Sequence, residues 1–191
     1  MPHPALVLAS ASPRRLDLLA QIGIVPTRVV PANIDESPRR GEQPRAYVRR
    51  MAVGKAAAIA DRDAHVLAAD TVVAAGRRIL PKAETEAEGR DCLALLSGRR
   101  HRVMTAVVLR APDGHQTERL CESIVTFARL TQRDIDAYIA SDEWGGKAGG
   151  YAIQGLGASF IRFLSGSHSN VVGLPLFETA QLLRGAGWTL P

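Results

Sequence analysis

ALVLASASPRRLDLLAQI, residues 5–22, changes its periodicity midway. Residues 5–9 are an unbroken apolar run of strand length. Ser12-Pro13 follows: a serine placed to cap a helix, then a proline whose fixed φ suits the first helical residue. Leu16, Leu18, Leu19 and Ile22 then recur at roughly helical spacing, and Gly23 is placed as a stop. A buried strand that leads directly into a helix opens an α/β unit, and the chain downstream continues the alternation.

Residues 27–30 (TRVV) predict a second strand, and Pro31 to Pro44 a long polar loop of the kind that often carries function. A helix is expected over 45–60. Residues 65–75, HVLAADTVVAA, read as an apolar strand interrupted by one acid, Asp70. Gly76 marks a turn into a return strand over 77–80, and a helix follows over 84–96. Residues 101–110 and 118–130 flank Pro112-Asp113-Gly114 as a hairpin. Thr131 caps a helix to Ala140, residues 145–157 are glycine-rich and irregular, 158–164 predict a strand, and 174–183 a last helix. There is no internal repeat or linker. The order implies one α/β domain over residues 1–191, built around a mixed sheet.

With 46% apolar and 23% charged residues in a chain of 191, composition excludes disordered and fibrous classes. The net charge of +5 suits an anionic ligand, although an excess of arginine also serves solubility. Cys92 and Cys121 are too few for a disulfide framework or a zinc spacing and read as small core residues. Residues 1–5 carry no basic leader, and no apolar run approaches a spanning length, so the expectation is a cytoplasmic protein without a membrane partner.

Five features carry candidate chemistry. Ser10, Ser12 and Arg14 surround a helix N-terminus, where free N–H groups, hydroxyls and a guanidinium fork could cradle phosphate; the plainer reading is an ordinary capped helix. Asp70 is a carboxylate in an apolar strand and needs a partner, which a metal or a catalytic proton would supply; otherwise it caps a loop. Asp35-Glu36 are hard ligands suited to Mg²⁺ or Mn²⁺, or simply solvated acids. Lys55 and Lys82 could neutralise a leaving pyrophosphate or serve as surface decoration. In the segment from Lys147 to Gly155, glycines would let backbone approach a ligand, and Gln154 could read a base edge with its donor and acceptor.

The order of these segments is more specific than any one of them. LASASPRR (8–15), IDES (34–37), GK (54–55), AADTVV (68–73), Lys82 after RIL, LSGRRHRVMTAV (96–107), GGKAGGYAIQG (145–155) and SNVVGLPLFET (169–179) together resemble the Maf family of nucleoside triphosphate pyrophosphatases. The resemblance implies a two-lobed α/β fold with the nucleotide in the cleft between lobes. It also implies a divalent cation held by Asp70 and Glu36, with Asp70 the catalytic proton acceptor. Lys55 and Lys82 match the family lysines, while Arg14, Thr71 and Gln154 match the positions that select the base. All three are of the kind found in the branch that hydrolyses dTTP and UTP, rather than the branch that favours 7-methyl-GTP. Pro81-Lys82-Ala83 and Trp144-Gly145-Gly146 depart from the family pattern. Family members are often homodimers. A rival from another class is a nucleotide- or nucleic-acid-binding regulator of division without turnover. Few aromatics (5%) and the retained acids argue against it, and no nucleic-acid partner is expected.

Overall fold

The computed structural model describes residues 4–190. Strand β1 (Leu6–Ala9) enters helix α1 (Pro13–Gln21), and β2 (Arg28–Val29) is followed by the long loop and α2 (Pro44–Ala58). Next come β3 (His65–Ala75), β4 (Arg78–Leu80), β5 (Lys82–Ala83), α3 (Glu86–Leu96), and the hairpin β6 (Arg100–Arg110) and β7 (Gln116–Phe127). The chain closes with α4 (Gln132–Ile139), β8 (Lys147–Ala148), a 3₁₀ turn (Leu156–Phe160), β9 (Ile161–Ser165), α5 (His168–Val172) and α6 (Leu176–Gly185). The main sheet runs β2-β1-β3-β6-β7-β9, with β4 also on β3; β5 and β8 form a separate pair. The β1–β2 and β1–β3 pairings are parallel and the others antiparallel, so the sheet is mixed.

Strand β3 positions the site. Its residues 65–68 pair with β1, and 73–75 pair with β4 on the same edge. Between them, residues 69–72 have no neighbour on that edge, because β1 has already turned into α1. Alternation then sends Asp70 and Thr71 to opposite faces. Val66, Ala68, Val72 and Ala74 pack under α2 with Tyr47, Val48, Met51, Ala52 and Ala56, so Asp70 faces α2. Leu67 and Ala69 pack with α1 and α6 residues, so Thr71 lies on their side. A third cluster, with Leu93, Leu96, Phe127, Tyr138 and Tyr151, fills the far half of the sheet under α3 and α4. Two lobes therefore share the long strands, and the interrupted edge of β3 lies between them.

Most expected elements are present with shifted ends, and the exceptions have physical causes. Residues 156–160 form a 3₁₀ turn, and the strand expected over 158–164 begins only at Ile161. The two-residue strands β5 and β8 and the short helix α5 have no local periodicity to reveal them. Ser12 occupies the N-cap of α1, but its hydroxyl makes no capping bond. By contrast, Thr85 and Thr131 both form full capping boxes, with Glu88 and Asp134. Cys92 is buried as expected, but Cys121 is only half-buried. Its thiol is pushed up to about 12 by burial and by Glu178, so it is inert as a nucleophile at neutral pH.

His101 provides a test of the core behind the cleft. It is buried, its Nε2 lies 2.9 Å from the Tyr151 hydroxyl, and its ring stands edge-on to Phe127. Burial holds its imidazole at about 4, against the ordinary 6.5, with a smaller opposing pull from the Arg99 backbone. The folded protein therefore keeps His101 neutral between those values while the unfolded chain protonates it. This stability contribution is complete above the unfolded value and is lost as pH falls from about 6.5 to about 4, by about 3 kcal/mol. Urea unfolding of wild type and His101→Gln across that range should show the shallower pH slope in the variant; equal slopes would contradict the assignment.

Candidate active site

A cleft of about 330 Å³ opens at the interrupted edge of β3. Every residue singled out in the sequence lines it: Ser10, Ser12, Arg14, Glu36, Lys55, Asp70, Thr71, Lys82, Lys147 and Gln154. The one alternative, Asp35, falls outside. It is exposed and accepts the Ser37 amide at 2.9 Å; the Ser37 side chain first, and then this amide, hold its carboxyl below the ordinary value.

The acids and lysines form one array. Lys55 comes from the buried face of α2, and its Nζ lies 2.6 Å from Asp70 Oδ1 and 2.7 Å from Glu36 Oε1. Lys82 closes on the other Glu36 oxygen at 2.5 Å. Asp70 is 3% exposed, so its charge does need a partner, and the protein itself supplies one. Burial opposes ionisation of Glu36, but the hydrogen bonds from Lys55 and Lys82 outweigh it and hold the carboxyl below its usual range.

Long-range pairing delivers these groups. The Glu36 loop is fastened to α2 by Tyr47, whose hydroxyl donates to the Glu36 carbonyl at 2.9 Å, and by Arg50, which donates to Ser37 O and to the Glu42 carboxylate. Those bonds hold Glu42 at about 2, the largest contribution coming from Arg50. Lys82 sits on β5, which pairs with β8 so that Lys82 faces Ala148 and Ala83 faces Lys147. The glycines here serve the fold more than a ligand. Gly149 has a φ of +70°, and a Cβ on it would stand 2.9 Å from Val73 Cγ1, so its bare backbone lets β8 settle against β3.

The opposite wall is cationic. The start of α1 lines it: Ser12 makes no capping bond, Pro13 has no N–H and the Arg15 amide donates to the Ser12 carbonyl at 3.2 Å, so the Arg14 amide is the first-turn donor left for a ligand. Arg14 and Lys147 stand on the same wall. The Lys147 ammonium is held below its ordinary value by burial and by the Arg14 charge. Two cations that repel one another in a half-enclosed cleft favour an anion beside them. Gln154 is exposed at the rim. Arg15, Tyr47 and Arg50 also belong to the site or its support, although the sequence motifs point only to Arg14.

The carboxylates fit a hard divalent cation. Among the described residues no group of three or more His, Cys, Asp or Glu could hold a metal. A cation at Glu36 and Asp70 would thus take its remaining ligands from phosphate oxygens and water, the arrangement Mg²⁺ commonly uses. No helix among the described residues is long and apolar enough to cross a membrane.

The Maf-like protein family profile matches residues 5–186. Proteins named dTTP/UTP pyrophosphatase are similar over nearly the full chain. That of Zymomonas mobilis is 62% identical, covering 97% of this chain and 93% of its own, and that of Caulobacter vibrioides is 60% identical, covering 97% of each. A solved HAM1 protein from Coxiella burnetii shares the fold, with a TM-score of 0.51 at 16% identity, covering 95% of this chain and 99% of its own. With the family's motif positions gathered in one cleft of a mixed α/β fold, the chain belongs to the Maf family.

Proposed function

We propose that this protein hydrolyses dTTP and UTP to the nucleoside monophosphate and pyrophosphate, in the cytoplasm and within one catalytic domain. The observation that carries the reading is the Asp70–Lys55–Glu36–Lys82 array facing the uncapped start of α1 across a single cleft. The names of the close relatives point to the same substrates.

The geometry supports the following roles. The α1 N-terminus, Ser10, Ser12, Arg14 and Lys147 bind the triphosphate, with donors aimed where negative charge accumulates. Lys55 holds one Asp70 oxygen and leaves the other to take a proton from water as it attacks the α-phosphorus. Lys82 and Lys55 face the departing pyrophosphate, with Glu36 fixing both. Glu36 and Asp70 would hold a divalent cation, which would supply further neutralisation of phosphate charge. Catalysis is then mainly positioning and electrostatics. At the rim, the Gln154 amide offers a donor and an acceptor to a pyrimidine edge.

A nucleotide panel with Mg²⁺ or Mn²⁺ tests the reading. The highest kcat/KM is expected for dTTP and UTP, with activity abolished by chelation and restored by metal. Gln154→Ala should lose about 5- to 100-fold on these two and less on other nucleotides, the range for one unmade hydrogen bond. A wild-type preference for 7-methyl-GTP, or full activity in excess chelator, would overturn it.

A further inference from the structure

The tandem arginines divide their work. Both arginines line the cleft, but among the described residues the structure gives Arg14 no side-chain hydrogen bond, whereas the protein accepts from each nitrogen of the Arg15 guanidinium. Its Nε donates to the Gly173 carbonyl at 2.8 Å, Nη1 to Ser10 Oγ at 3.1 Å, and Nη2 to Thr71 Oγ1 at 3.2 Å. Three elements distant in sequence, the end of β1, the middle of β3 and the turn after α5, are tied by one planar fork, a task that a guanidinium performs and an ammonium does not.

The bonds also limit where two hydroxyl protons point. A serine hydroxyl has one proton and two acceptor sites. Ser10 Oγ accepts from Arg15 Nη1 and from the Ser12 amide at 3.1 Å, so both acceptor sites are filled. Ser10 is buried, 5% exposed, and lines the cleft. Its proton is the one hydrogen-bonding function left to offer a ligand. At Thr71, Oγ1 accepts from Arg15 and lies 3.0 Å from Thr105 Oγ1. The Thr105 proton is committed to the Asn170 carbonyl at 3.0 Å, so the Thr71 proton goes to Thr105 Oγ1 or to the Gly173 carbonyl, 3.4 Å away. Thr71 is left with acceptor capacity alone.

We propose that Arg15 is a positioning residue that sets the polarity of the Ser10 hydroxyl: it fills an acceptor site on Ser10 Oγ and so makes Ser10 a donor toward bound phosphate, without itself being the anion's ligand. The inference rests on the triphosphate cleft proposed above. It assigns Arg15 a role different from that of Arg14, although the two are chemically identical and adjacent.

The test is calorimetric binding of inorganic tripolyphosphate, which carries no base, to wild type, Ser10→Ala, Arg15→Lys and the double variant, with thermal melting of each. Ser10→Ala and Arg15→Lys should each weaken binding by about tenfold, the scale of a hydrogen bond to a charged group. The double variant should be no more than about twofold weaker than Ser10→Ala, because Arg15 acts through that hydroxyl. Wild-type affinity in Arg15→Lys would show that charge alone suffices, and penalties that multiply in the double variant would show that Arg15 contacts the anion; either overturns the proposal. If Arg15→Lys does not fold, Arg15→Gln takes its place in the cycle. Wild-type affinity in Ser10→Ala overturns the proposal whatever the arginine variants do. A wild-type protein that binds no tripolyphosphate overturns the triphosphate cleft as well, whereas the other failures leave that reading intact.

Discussion

Asp70→Asn is expected to lower dTTP turnover by about 10²-fold or more, the scale of a lost general base, in a protein that still melts cooperatively. Asparagine keeps the size of the side chain and an oxygen for Lys55 but cannot take a proton. The sequence alone left the partner of Asp70 to a metal, a catalytic proton or a capped loop. The structure instead shows an ion pair with Lys55 at 2.6 Å, so some stability must be lost. That loss is limited because Lys55 keeps Glu36 at 2.7 Å and is not left as a bare buried ammonium. A shift of a few degrees in Tm with loss of turnover is the expected pair of results. Near-normal turnover in a folded variant would move the proton-accepting role to Glu36.

Lys55→Met should have the larger effect on stability. Methionine fits the apolar stripe of α2 formed by Tyr47, Val48, Met51, Ala52 and Ala56, but it leaves Asp70 buried without a cation. Breaking a buried pair by removing one partner costs about 3–5 kcal/mol. At about 2–4 °C per kcal/mol for a chain of this size, Tm should fall on the order of 10 °C. Glu36 suffers less, since Lys82 remains at 2.5 Å. Mg²⁺ should raise the Tm of this variant more than that of wild type, because a cation at the two carboxylates would then replace the missing ammonium. A Tm within two or three degrees (roughly 1 kcal/mol) of wild type would mean that the Lys55–Asp70 pair contributes little.

These expectations show what the chain made legible and what it did not. The β1–α1 unit announces itself because an apolar run gives way to Ser-Pro and a helical spacing. Asp70 is conspicuous because a single acid interrupts an apolar strand. Lys55 had a signal that went unused: it falls on the same helical stripe as Tyr47, Val48 and Met51, where a lysine must find a buried partner. Other features leave no local trace. Strands β5 and β8 exist only because residues 82–83 meet 147–148, a pairing set by the fold rather than by propensity. Asp35 and Glu36 are adjacent acids, and only the bonds from Tyr47 and Arg50 to the loop backbone decide which one enters the cleft. Arg15 could not be told from Arg14, because its partners Thr71 and Gly173 lie 56 and 158 positions away. The glycines between Lys147 and Gly155 suggest room for a ligand in the sequence, yet Gly149 makes room for Val73.

The central claim is that this cleft directs water at the α-phosphorus of a nucleoside triphosphate. Hydrolysis of dTTP in ¹⁸O-labelled water, followed by mass spectrometry of both products, tests it most directly. The account predicts dTMP carrying one labelled oxygen and unlabelled pyrophosphate. Label in pyrophosphate would place the attack on the β-phosphorus, and release of dTDP with labelled orthophosphate would place it at the γ-phosphorus; either result contradicts the roles given to Asp70, Lys55 and Lys82.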